Sequence, residues 1–142
     1  GYRMETLTVP GHLDSLSIIG AYIMDAARNA GLDTRPAYRL RLAVDEIATN
    51  VITHGYEEAG KEGSVYLTAS SDSAALTIIL EDTADPYDPT TRAQPDSLDL
   101  PLEERPIGGL GIFLTIRNVD TFAYERRGDR NRYTFVMNLP AS

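Results

Sequence analysis

The chain has 142 residues, a net charge of −8 and no cysteine. That length builds one domain with a substantial core. The missing thiols exclude a disulfide framework, a thiolate zinc site and a cysteine nucleophile, and the acidic balance argues against direct binding to nucleic acid, which needs a basic footprint. An anionic nucleotide stays compatible, because local backbone N–H groups and a divalent cation hold phosphates inside an acidic protein. No apolar run approaches the ~18 residues of a membrane span, and the polar start lacks the apolar stretch of a signal peptide. A soluble, cytoplasmic protein with no membrane partner is the default expectation.

Gly1, Tyr2 and Arg3 read as additions or as the edge of a longer protein. From Glu5 to Val9 the alternation predicts a short strand, broken by Pro10 and Gly11. Leu13, Leu16, Gly20, Ile23, Ala27 and Ala30 recur at threes and fours, which predicts a first helix closed by Gly31. Asp33 or Thr34 caps a second helix with Pro36 in its first turn. Its apolar stripe is Leu40, Val44, Ile47 and Val51, and it is expected to end near Gly55. After a polar loop, two strands over 64–70 and 75–81 form a hairpin turned at Ser71-Asp72-Ser73. Five of the eight prolines then fall within residues 82–107, which have no periodicity and read as a functional lid. A helical run over 112–119 follows. Strands over 121–126 and 132–139, turned at Gly128-Asp129, close the chain. This order predicts a two-layer α/β (α+β) sandwich: a mixed, mostly antiparallel sheet covered on one face by helices.

Three stretches carry chemistry. DEIATNVITHGY, from Asp45 to Tyr56, sets Glu46, Asn50 and His54 at four-residue steps. On a helix these stack along one ridge at the border of the apolar stripe, where a carboxylate and an amide need partners such as magnesium, water or phosphate. His54 reads as a buried, satisfied histidine near the helix end. The second stretch is DTADPYDP, directly after a strand. There Asp82 suits the exocyclic amine of a base, and the small Ala84 lets the backbone approach the ring. The third is Gly108-Gly109-Leu110-Gly111 opening a helix, where free N–H groups and small residues suit a phosphate. It is neither a Walker loop nor a dinucleotide fingerprint.

Each stretch alone is a weak signal, but their order closely resembles the Bergerat-fold (GHKL-type) ATPases. Within that group the chain resembles the anti-sigma factor serine/threonine kinases of bacterial partner-switching systems. AVDEIATNVITHGYEE is similar to their N box, DTADPYDP to their first glycine box and GGLGIFL to their second, and the likeness spans nearly the whole chain as a single histidine-kinase-like ATPase domain, residues 1–142.

The resemblance implies ATP and Mg2+. It makes Glu46 the catalytic general base, Asn50 the magnesium ligand and Asp82, with Ala84, the reader of adenine. It also implies that Gly108, Gly109, Leu110 and Gly111 cradle phosphates, and that Thr134 reaches adenine through water. Arg105 is a candidate phosphate contact, although a lid arginine is as a rule solvated. One departure is Ala84, where the family usually has glycine; its methyl disfavours positive φ. The implied partners are an anti-anti-sigma protein that is phosphorylated and a sigma factor that is bound, with a homodimer also implied. Two alternatives stay open: a non-catalytic, nucleotide-regulated interaction module, and the ATPase domain of a larger signalling protein such as a sensor histidine kinase. All of these readings require Glu46, Asn50, Asp82 and Gly109 to converge on one cavity.

Overall fold

The computed structural model describes residues 1–89 and 115–140. Among these residues, six strands form one sheet: β1 (Tyr2–Arg3), β2 (Leu7–Pro10), β3 (Ser64–Ser71), β4 (Ala75–Asp82), β5 (Thr121–Arg127) and β6 (Arg130–Asn138). Their order is β1-β3-β4-β6-β5, with β2 also paired to β3, and every pairing is antiparallel. The sandwich is as expected. The N-terminal residues are a finding, because Tyr2 and Arg3 pair with Ser71 and Ser70 and so belong to the sheet.

Alternation on the strands explains the layering. Val65, Leu67 and Ala69 of β3, Leu76, Ile78 and Leu80 of β4, and Tyr133, Phe135 and Met137 of β6 are all buried. They share one face because the register sets Leu67 against Leu80 and Leu80 against Tyr133. Helices lie on that face. The first, α1 (Leu16–Ala30), is entered through a tight 3-10 turn at Leu13–Ser15 and closed by Gly31 at φ 79°, as its glycine predicts. The second, α2 (Thr34–Asn50), starts at Asp33, which holds the cap position with extended backbone but makes no side-chain cap bond. The predicted stripe Leu40, Val44, Ile47 and Val51 is buried throughout. The two hairpins turn where expected; Asp72 accepts the N–H groups of Ala74 and Ala75, and Gly128 takes φ 60°.

The end of the second helix differs from expectation. After Asn50 the chain widens into a π-helical stretch, Val51–Glu57. The N–H of Glu58 bonds the carbonyl of Thr53, and that of Lys61 bonds Tyr56, each at 2.9 Å and each across five residues. Such wide turns are rare and favour functional sites. Here the widening sends Tyr56 into the core. Its hydroxyl donates to the Ser64 carbonyl at 2.7 Å and accepts the Thr83 N–H at 2.8 Å. A single phenol therefore joins the helix end, the start of β3 and the exit of β4. Its ring fits because Gly11 and Gly63 flank it: a Cβ on either would come within 2.4 Å.

Tyr56→Phe removes both bonds and leaves a carbonyl and an N–H unpaired. We expect it to lower the unfolding free energy by about 1–3 kcal/mol, measured by urea denaturation.

Candidate nucleotide-binding site

A cavity of about 160 Å3 opens between the π-helical stretch, the exit of β4 and the start of β6. Its lining includes Asn50, His54, Gly55, Asp82, Ala84, Tyr87, Asn131 and Tyr133. An apolar cavity of roughly 150 Å3 holds a benzene ring, so this one has room for a planar ring system while the rest of a larger ligand extends outward.

Asp82 ends β4 and is fully buried. Its Oδ1 accepts the Ala84 N–H and the Asn131 Nδ2–H, each at 2.8 Å. Among the described residues its Oδ2 has no partner, and neither has the buried Nδ2 of Asn50. Buried polar atoms are almost always bonded, and leaving one bare costs about 1–3 kcal/mol. Both residues line the cavity, so two unfilled hydrogen-bonding positions lie beside it. Burial pushes the Asp82 carboxyl above its ordinary range; the Asn131 and Ala84 donors and the charge of Arg126 pull the other way. Desolvation, with the Asp82 charge, also raises the Tyr133 phenol, so the cavity wall is a neutral aromatic surface.

The loop after β4 is held firmly. Arg126 donates to the Ala84 carbonyl at 2.7 Å, and Lys61 pairs with the exposed Asp85, which holds that carboxyl below its usual range. Thus the first part of the expected lid, 83–89, is a clamped floor. Ala84 is 3% exposed, and no non-glycine residue takes a positive φ among the described residues. Alanine therefore needs no strained backbone here. Its methyl instead faces Gly55, where an added Cβ would stand 3.0 Å from it.

Of the residues expected at the site, the cavity gathers Asn50, Asp82 and Ala84. Glu46 lies one turn before Asn50 on α2, half-buried and outside the lining. Arg105, Gly108, Gly109, Leu110 and Gly111 lie outside the described residues. Two expectations are corrected. Thr134 pairs with Ile79 and alternates with Asn131 and Tyr133, so its side chain is on the opposite face of the sheet. His54 is not buried; it stands on the cavity rim with Nδ1 2.8 Å from Glu58 Oε1.

Asn131 was absent from the expected set although it touches Asp82 directly. The signal was the cross-strand register, since Asn131 lies opposite Asp82; placing the strand start at residue 132 hid it. Among the described residues, no three His, Cys, Asp or Glu side chains converge on a metal position.

The sequence pattern of the histidine kinase-like ATPase domain family matches residues 9–137, almost the whole sheet and both helices. The chain belongs to this family. No curated protein matches it. Among solved structures, the chain is similar to the RsbU and RsbW domains of Rv1364c from Mycobacterium tuberculosis, with 12% identity and a TM-score of 0.64 over 97% of this chain and 34% of that one. It is also similar to the histidine kinase domain of the blue-light activated histidine kinase EL346 from Erythrobacter litoralis, with 20% identity and a TM-score of 0.53 over 89% of this chain and 60% of that one. The chain thus spans about a third of the first and 60% of the second. At these identities the likeness to the two structures is one of fold. Among the described residues, no helix is long and apolar enough to cross a membrane.

Two variants test this geometry. Gly55→Ala sets a methyl against Ala84 and narrows the cavity; we expect weaker ligand binding, restored in the double variant with Ala84→Gly, by calorimetric titration. Asp82→Asn keeps an oxygen for the Ala84 and Asn131 donors and removes a buried charge. The raised carboxyl pKa means that the folded state loses stability as pH rises through the titration of Asp82. Above that window we therefore expect the ligand-free melting temperature of Asp82→Asn to equal or exceed that of the parent, with adenine-nucleotide binding lost.

Proposed function

We propose that this domain binds ATP with magnesium and transfers its terminal phosphoryl group to a serine or threonine hydroxyl of a protein. The observation that carries the reading is the pairing of two unsatisfied buried atoms, Asp82 Oδ2 and Asn50 Nδ2, on one ring-sized cavity. Asp82 Oδ2 is a bare acceptor and suits the exocyclic amine of adenine. The aromatic Tyr133 and the small Ala84 suit the faces of the base. Asn50 Nδ2, a bare donor at the helix end, suits a phosphate oxygen, and the Oδ1 of the same amide suits the metal, because Mg2+ keeps its waters and is held by one or two protein oxygens together with the phosphates. The ion supplies charge neutralisation to the phosphates when bound.

In this reading Glu46, one turn before Asn50 on the same ridge of α2, orients the attacking hydroxyl and takes its proton. Phosphoryl transfer asks little more of the protein than positioning and electrostatic stabilisation. Gly108, Gly109, Leu110 and Gly111 complete the phosphate cradle in this reading, with Arg105 as a further phosphate contact. The likeness to a structure containing an RsbW domain, together with the three boxes in the sequence, supports the finer reading. That reading is an anti-sigma factor type kinase whose substrate is an anti-anti-sigma protein and whose second partner is a sigma factor. A second reading has its own observation: Glu46 stands outside the cavity lining, which suits a domain that binds nucleotide to regulate protein contacts without transferring phosphate.

Transfer from radiolabelled ATP to a neighbouring candidate regulator separates the two. We expect Glu46→Gln to abolish labelling while the Kd for ATP stays within about threefold of the parent, the pattern of an interaction made only in the transition state. Undiminished labelling by Glu46→Gln would remove Glu46 from the chemistry, and absence of ATP binding at millimolar concentration would end the proposal.

A further inference from the structure

Asn131 is buried at the start of β6 and uses both ends of its amide. Its Nδ2 donates to Asp82 Oδ1 at 2.8 Å, to the Asp85 carbonyl at 3.0 Å and, more weakly, to the Ala84 carbonyl at 3.3 Å. Its Oδ1 accepts from the Tyr124 hydroxyl and from the Tyr87 N–H. A carboxamide turned the other way would press oxygen against a carboxylate and two carbonyls, and nitrogen against an N–H. The amide therefore has one possible orientation. It saturates Oδ1 of Asp82 together with the Ala84 N–H, so the carboxylate offers the cavity a single atom, Oδ2, as a pure acceptor.

We propose that Asn131 is a positioning residue that makes this cavity selective for a purine with an exocyclic amine over one with an exocyclic oxygen. This inference rests on the nucleotide-binding reading above. It names the residue that enforces the choice of base. An acceptor at Oδ2 bonds the amine of adenine and repels the carbonyl oxygen that guanine carries at the same place. Sites built to bond one polar group discriminate strongly against an analogue that lacks it.

Replacing the Nδ2 donor by an oxygen in Asn131→Asp sets a second carboxylate against the first. Two carboxylates in contact cannot both ionise, so they share a proton, and Asp82 then gains a form that donates to a carbonyl. The other charged or titratable groups acting on Asp82 are Glu81 on its own strand, Arg126 on β5, Tyr133 on β6 and Tyr56 on the π-helical stretch; all are unchanged in the variant.

The test is calorimetric titration of the full chain with ATP and with GTP, each with magnesium, over a pH series. For the parent we expect ATP to bind at least roughly tenfold more tightly than GTP, with binding weakening as pH falls through the titration of Asp82. In Asn131→Asp the preference falls by about tenfold and the pH midpoint moves upward, a shift that mere loosening of the fold would not produce. Asn131→Ser, which adds no charge, is the second variant; we expect it to lose ATP affinity and selectivity in the same direction. A folded Asn131→Asp or Asn131→Ser with the parent's ATP-to-GTP ratio and pH profile would overturn the role of Asn131 and leave nucleotide binding standing. So would a parent that binds the two nucleotides equally. A parent that binds neither would remove the nucleotide reading itself, and this inference with it.

Discussion

A buried carboxylate with one bare oxygen, set beside the cavity, is the constraint around which this chain is arranged. Asp82 sits where β4 leaves the sheet, and burial disfavours its charge. A chain selected for stability alone would place an apolar residue there. Instead Asn131 reaches across from β6, Ala84 turns its N–H back, and Arg126 braces the carbonyl of the same loop. Those supports hold Asp82 in place without satisfying its second oxygen. Sequence-level rules fail most informatively where structure has been set aside for chemistry.

The helix layer serves the same end from the other side. The apolar stripe of α2 fixes the helix on the sheet, and that fixes Asn50 opposite Asp82. Tyr56 then ties the helix end to the exits of two strands. The cavity is therefore built between regular elements and does not rely on one loop. This fits the persistence of the fold at 12% and 20% identity in the two solved structures: sheet order and helix placement position the cavity, and many side chains fill the core equally well.

Much of this was legible in the sequence, for definite reasons. The helix stripes and strand alternations are repeated signals, each carried by several residues, and both hairpin turns are marked by residues with turn chemistry. The meeting of Asn50 with Asp82 followed from the order of the boxes. What escaped depended on a phase or a partner. Thr134 and Asn131 differ by three positions on one strand, so an alternation read without its register could not say which faced the cavity. His54 was placed by continuing a period of 3.6 past Asn50, where the backbone no longer follows it. Tyr2 and Arg3 carry no pattern of their own, and only the edge of β3 gives them a place.

The widened turn at Val51–Glu57 has a consequence for how this sequence can vary. Its hydrogen bonds count by five, so it accommodates more chain per turn than the α-helix it extends. Deleting one residue there would let the ordinary spacing resume and swing everything beyond the deletion by roughly a quarter of a revolution. Gly55 would leave Ala84, and the phenol of Tyr56 would leave Thr83. A point substitution in this stretch perturbs the contacts of one side chain, whereas a change in its length breaks the alignment of two cavity walls at once. The stretch thus tolerates variation in what it is made of far better than variation in how long it is.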